Sequence, residues 1–295
     1  DLDITNFNSV DCRYTTLKRS SLINFLKSNL GDLIKTGFKI SEIDQFDKQI
    51  KLTFENNKIE ECDYLIISDG VFSKSKSLIS NNKTQPKYNN TLAIRGVLRK
   101  FSENIDNKNI SLFLGSNFHQ VIYPTNPHGD LNFIAIMKYQ LSIEEQKSYS
   151  LFSESSFIKK VLEKIPSENK EFLDNLKELK IFPVFVSNNF YKSQNMNIHF
   201  IGDAFFAFPQ SFAQGASQSI EGAYELFKSI KSNTENIFFN NRVNKTKMIN
   251  IRSKFNQFAF HLSNPLTTFF RNIFLKRLVK NKKFLEYYLG KIYKN

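Results

Sequence analysis

Residues 199–227, HFIGDAFFAFPQSFAQGASQSIEGAYELF, decide the reading of this chain. The stretch opens as a buried strand through Phe200 and Ile201, then breaks at Gly202-Asp203. A segment of Phe, Pro and small residues follows. The spacing of SIEGAYELF then predicts a helix from about Ala216 to Lys231. A lone carboxylate between an apolar strand and a helix has two readings. Either the turn is a tight local closure, or a polar group sits above the strand end. A second stretch of the same design is DYLIISDGVFSKSK, residues 63–76, where a short apolar strand ends at Asp69-Gly70. In open α/β sheets ligands lie beyond the carboxyl ends of strands. A carboxylate there can accept hydrogen bonds from sugar-like hydroxyls, and a neighbouring glycine lets a ligand approach the backbone. Taken singly, either pair is also an ordinary turn.

Outward from these turns, RSSLINFLKSNL (residues 19–30) places Leu22, Phe25, Leu26 and Leu30 at helical spacing, with Gly31 or Gly37 as its stop. Residues 37–70 alternate apolar and polar residues around an Asn-Asn turn, predicting a hairpin that feeds the strand Tyr64 to Ile67. Residues 91–99, 110–123 and 131–139 give further strands, close enough in sequence for an antiparallel sheet, with a turn at Pro124–Gly129. Residues 142–180 are charged and predicted helical with a break at Pro166, and KIFPVFV is a short extended piece. The last 50 residues are predicted helical with a break near Asn264-Pro265. The expected class is α/β, α+β overall: an open-sheet domain interrupted by a second, antiparallel one. The divisions are residues 1–84 and 191–240 for the first, 85–190 for the second, and 241–295 for a C-terminal helical region.

Composition narrows the class. At 295 residues, 41% hydrophobic and 23% charged, the chain reads as globular. No apolar run approaches the roughly 18 residues of a membrane span. The start shows neither a basic n-region nor an apolar h-region, so a signal peptide is not expected. Cys12 and Cys62 alone make no disulfide framework and no zinc spacing, and a reducing, cytoplasmic setting is the expectation. His128, His199 and His261 have no ligand spacing, so no metal is expected. No G-x-S-x-G elbow and no P-loop occur. Over half of the net charge of +13 lies in residues 255–295, where eight Lys and Arg face only Glu286. A basic tail of this kind reads as a solvated helix face or as a contact with an anionic surface, and no nucleic-acid partner is expected.

In order and in flanks, the two turns resemble the class A flavoprotein monooxygenases, the aromatic hydroxylases that include salicylate hydroxylase and the ubiquinone-pathway hydroxylases. The family's Arg-x-x-Leu helix start is similar to Arg19-Ser20-Ser21-Leu22. Its DLLIGADGxxSxVR motif is similar to residues 63–76, with Asp63, Asp69, Gly70, Ser73 and Lys76 in register. Its GDAAHxxxPxxGQGxNxxIEDA motif is similar to residues 202–223, with Gly202, Asp203, Pro209, Gln214, Gly215 and Glu221 matching. The resemblance runs more weakly through most of the chain. It implies an FAD-binding open-sheet domain of the aromatic hydroxylase type with an inserted antiparallel-sheet substrate domain and C-terminal helices. It further implies that Gly202 and Asp203 hold the ribityl chain of FAD, with Arg19 near the ribityl or pyrophosphate. Asp69 and Gly70 would serve FAD and the nicotinamide nucleotide, and Gln214, Gly215 and Ala216 would start the helix facing the flavin pyrimidine. Pro209 would border the cavity where oxygen meets the reduced ring.

The activity so implied is hydroxylation of a phenolic substrate by NAD(P)H and O2, on a small aromatic acid or a quinone precursor. The substrate pocket is expected from the strands carrying Arg95, His119, Tyr123 and Phe133, with Phe205, Phe206, Phe208 and Phe212 as an aromatic wall. His119 is the candidate base. Alternatives on the same fold are an epoxidase, a halogenase or a reductase. A non-enzymatic alternative is a flavin-fold protein that binds a partner or a membrane surface through its basic C-terminal helices. The departures from the family pattern are Phe205 and Phe206 for Ala and His, Ala213 for a glycine, Ser217 for Asn, and Gly222 for Asp. No G-x-G-x-x-G occurs in residues 1–20. The first strand–helix–strand unit of the fold, with its pyrophosphate loop, is therefore expected to be missing, and with it retention of FAD through gel filtration.

Overall fold

A computed structural model describes residues 2–8, 10, 13–46, 49–79, 85–99, 106–125, 129–165 and 172–293. Cys12, His128 and Pro166 lie outside the described residues. In chain order, helix α1 (Arg19–Ser28) leads to strands β1 (Ile40–Phe46), β2 (Gln49–Phe54), β3 (Ile59–Cys62) and β4 (Leu65–Ile67) and to helix α2 (Ser75–Ile79). Strands β5 (Lys87–Leu98), β6 (Ser111–Gly115), β7 (Phe118–Pro124) and β8 (Leu131–Lys138) follow, then helices α3 (Ile143–Lys147) and α4 (Ser155–Glu163). Strands β9 (Leu176–Val186) and β10 (Ile198–Phe200) precede α5 (Gly202–Phe205), α6 (Gly215–Lys231), α7 (Glu235–Phe260) and α8 (Pro265–Leu278).

The chain forms two compact units. One comprises Lys27–Asn89 and Pro183–Asn256. It holds the antiparallel meander β1-β2-β3 and the parallel pair β10-β4. The meander forms because its apolar residues alternate and Asn57 adopts the left-handed conformation at the Asn-Asn turn, φ 61°. Its core joins Ile43, Ile50, Leu52 and Phe54 of the meander to Ile67, Ile198, Phe200, Ala204, Phe205 and Phe206.

The other unit comprises Asp1–Leu26, Asn90–Phe182 and Gln257–Asn295. Its five-stranded sheet has the order β6-β7-β8-β5-β9. The structure thus groups the N-terminal 26 residues with the inserted sheet, whereas the sequence reading grouped them with residues 27–84. Residues 142–180 are not helical throughout, because α4 ends at Glu163 and β9 already begins at Leu176. Glu178 takes a positive φ of 55° inside β9, an irregularity that hides the strand's period-2 pattern in the sequence. Pro183 fits because β9 is an edge strand, where a missing N–H costs no ladder bond. The break between α7 and α8 is built as expected. The Asn264 side chain accepts from the Leu266 and Thr267 amides, and Pro265 takes the first helical turn. Among the described residues no helix is long and apolar enough to cross a membrane.

Candidate functional site

The two strand–Asp turns are brought side by side. β10 pairs with β4 in parallel, Ile198 opposite Leu65 and Phe200 opposite Ile67, and the Ile201 amide donates to the Ile67 carbonyl at 3.0 Å. Asp69-Gly70 and Gly202-Asp203 therefore leave the carboxyl ends of adjacent parallel strands, where open α/β sheets place their ligands. At the first turn Gly70 has φ +88°, and Asp69 accepts from the Ser75 hydroxyl at 2.8 Å and the Ser75 amide at 3.2 Å, capping α2. Lys76 in this turn is buried, and burial lowers its pKa. At the second turn Gly202 has φ +59°, and a Cβ there would lie 3.0 Å from the Ser219 hydroxyl of α6. Asp203 is exposed on the single turn of α5.

Helix α6 starts at Gly215, one residue before the start that the spacing predicts. Ala213 precedes it with φ 51° and ψ 30°, the left-handed conformation that favours the glycine it replaces. The first bond of the helical ladder runs from Gln218 N to Gln214 O at 2.9 Å. The amides of Gly215, Ala216 and Ser217 thus lie ahead of the ladder, at the positive end of a 17-residue helix. Gly215 has neither a positive φ nor a crowded Cβ position, since nothing lies within 4 Å of where its Cβ would be. The protein's own packing does not require glycine here, whereas a ligand group against the helix start would.

The helix is fixed from behind by Arg242 of α7, which the sequence reading did not single out. Its guanidinium donates to Glu221 at 3.2 Å, to Glu225 at 3.1 Å, and to the Gln218 carbonyl and side-chain oxygen at 3.2 and 3.0 Å. Gln218 in turn reaches Gln214 at 3.3 Å. Burial pushes the Glu221 carboxyl up, but Lys245 and Arg242 outweigh it and hold the group below the usual range. Burial raises Glu225. A signal was present: two glutamates four residues apart on one helix repel unless a cation sits between them. Arg242 lies 3.5 Å from where a Gly222 Cβ would be, an ordinary contact distance, so the guanidinium packs directly over Gly222. A depression beside this network is lined by Gly202, Asp203, Phe206, Phe208, Gly215 and Gln218, among others. Phe206 stacks on Phe190 at 4.3 Å and belongs to the core, as does Phe205. Pro209 is buried just ahead of the one-turn segment Gln210–Phe212.

In the sheet unit, strand register sorts the pocket candidates. His119 pairs with Ile136, Val121 with Ile134, Tyr123 with Asn132, and Arg95 also with Ile134. Arg95, His119 and Tyr123 therefore share one face. Phe133 pairs with Ile122 and Gly96, points to the opposite face, and is fully buried there, so it leaves the pocket set. Burial lowers the Arg95 guanidinium pKa, Tyr123 raises it and Arg19 lowers it. Burial also raises the Tyr123 phenol, against Arg95 and with Tyr14. Arg19 thus belongs to the sheet unit, beside Arg95. Thr16 donates to the Pro124 carbonyl at 2.7 Å and Lys18 to Asp130 at 2.9 Å, seating the N-terminal segment next to Tyr123.

His119 is 2% exposed, and its Nδ1 lies 2.8 Å from His261 Nε2. Burial, then His261, pushes its pKa down to about 3; burial, then Lys138, pushes His261 down to about 4. His261 also bonds to the backbone of Ile136. His119 Nδ1 and His261 Nε2 therefore share one proton position, and the tautomer decides which ring donates. His199 in β10 stacks against Tyr64, and its Nε2 is buried without a hydrogen-bond partner among the described residues. No group of three or more His, Cys, Asp or Glu among the described residues could hold a metal ion.

No family model and no curated protein matches the chain. Solved structures do. A variant of Klebsiella pneumoniae HpxO complexed with FAD superposes with a TM-score of 0.79 at 12% identity, covering 94% of this chain and 73% of that one. A salicylate hydroxylase in a substrate complex gives 0.69 at 17% identity, covering 94% and 74%. The 2,6-dihydroxypyridine-3-hydroxylase of Arthrobacter nicotinovorans gives 0.64 at 13% identity, covering 79% and 68%. The chain has the fold of these proteins.

Proposed function

We propose that this protein is an FAD-dependent monooxygenase that hydroxylates a small phenolic substrate with NAD(P)H and O2. The observation that carries the reading is the pair of strand-end turns on adjacent parallel strands, the second of which lines one depression with the start of α6. FAD fits the residues present. Asp203 offers an exposed carboxylate for ribityl hydroxyls, Gly215 leaves open space at a helix start, and the Gly215 and Ala216 amides are donors. When bound, FAD supplies the redox chemistry that activates oxygen.

The chain's residues orient and stabilise. The α6 amides and the helix dipole favour negative charge at the ring portion that meets them. Gln214, held by Gln218 and through it by Arg242, fixes the geometry of that helix start. Gly70 and Asp69 hold the neighbouring strand end, and Pro209 closes the loop between the second turn and α6. Arg95 and Tyr123, with Arg19, orient the phenol on the sheet face. His119 enters as an acid–base residue only through its Nε2, since Nδ1 is engaged with His261. The substrate of this proposal is a quinone precursor, reached by peripheral contact of the C-terminal helices with a membrane.

The test uses the full chain with FAD in molar excess. FAD fluorescence should be quenched on titration, and Asp203→Ala should weaken that quenching at least about tenfold, the loss of one charge-assisted hydrogen bond. Phenols should stimulate NAD(P)H oxidation and yield products heavier by one oxygen. Quenching without phenol-dependent product overturns the hydroxylase, and no quenching overturns the flavin site.

A further inference from the structure

Helix α8 buries none of its residues fully. Leu266, Phe269, Phe270 and Phe274 are 51–64% exposed. At three- and four-residue spacings they fall within one arc of the helix, and Arg277 extends that arc. A water-soluble helix surface rarely leaves so much contiguous apolar area in water. The same segment is strongly basic. From Leu262 to Leu285 the chain carries Arg271, Lys276, Arg277, Lys280, Lys282 and Lys283 and no acidic residue. Arg271 reaches back to the Ala259 and Phe260 carbonyls at 3.5 Å, which orients α8 against the end of α7 and leaves the other cations outward.

We propose that α8 and the basic segment after it form a docking surface for a bilayer of anionic phospholipid. The phenyl and leucyl groups insert at the headgroup boundary, and the Lys and Arg side chains pair with lipid phosphates. Charge complementarity selects this occupant. A second copy meeting the same face would oppose two clusters of like charge. A nucleic acid would satisfy the cations but leave Leu266 and the phenylalanine arc in water. The inference extends the membrane contact of the reading above and is independent of its flavin chemistry.

Vesicle flotation without added flavin tests it. Vesicles of phosphatidylcholine mixed with phosphatidylglycerol should carry the protein up, and vesicles of phosphatidylcholine alone should not. High salt should weaken binding. The triple substitution Phe269→Ser, Phe270→Ser, Phe274→Ser should reduce binding at least about tenfold through lost apolar insertion. Lys276→Gln with Arg277→Gln and Lys280→Gln should reduce it comparably through lost charge, with thermal melting unchanged in both sets. No flotation with the mixed vesicles overturns the proposal while leaving the oxygenase reading intact. Two further outcomes also overturn it: phenylalanine-independent binding that a DNA oligonucleotide matches, and a dimer in sedimentation velocity that the triple substitution dissolves.

Discussion

The Asp69-Gly70 and Gly202-Asp203 turns end neighbouring strands and carry the same two residue types, yet their carboxylates and glycines do different work. Asp69 is turned back on its own chain and caps α2 through Ser75. Its Gly70 answers a backbone demand, φ +88°, with nothing near its Cβ position. In the second turn the glycine answers a contact as well, because α6 presses Ser219 against it. Its carboxylate stands exposed, ahead of a long helix that is braced from behind by Arg242. The first turn is capped by its own Ser75, whereas the second packs against a helix braced from behind.

The strongest way to break that contrast is to remove the brace. Arg242→Met strands Glu221 and Glu225 without their central cation, and should cost about 3 kcal/mol in urea unfolding, as for one-sided removal from a buried ion network. An equally large loss from a residue bracing the first turn would contradict the comparison. Next come the glycines. Gly202→Ala combines a left-handed backbone with the Ser219 contact, and about 2 kcal/mol is expected; Gly70→Ala meets only the backbone term, about 1 kcal/mol. Equal losses would mean that the Ser219 contact relaxes freely. Asp69→Ala should remove a cap and cost about 1 kcal/mol in thermal or urea unfolding; Asp203→Ala should act chiefly on FAD quenching. The smallest effect is Ala213→Gly. Relief of φ 51° is offset by the greater freedom of glycine in the unfolded chain, leaving a stabilisation of a few tenths of a kcal/mol.

Local patterns carried much of this molecule into view. The meander around Asn57, the α7–α8 break at Asn264-Pro265 and both strand–Asp turns rest on residues close in sequence, where period and turn chemistry act directly. The parallel pairing of β4 with β10 joins two apolar strands separated by a whole inserted unit, and it was not read from the sequence. What stayed hidden joins residues far apart in sequence. Arg242 lies 21 residues from Glu221, and His119 lies 142 from His261, with no periodic signal linking either pair. The start of β9 was obscured by Glu178, whose positive φ interrupts the alternation that marks a strand. The pocket face was half visible. Arg95, His119 and Tyr123 were chosen as strand residues, but only the register showed that they share a side and that Phe133 does not.

Gly215 separates two kinds of selection. Its backbone is ordinary and the space beside it is empty of protein atoms, so alanine or serine there should leave folding and abundance untouched. A mutational scan scored on cellular protein level would class the position as permissive, in the company of surface residues. A scan scored on flavin-dependent growth or turnover would class it as intolerant. The gap between the two scores would be wide at Gly215 and narrow at Gly202, whose neighbours already require it for folding.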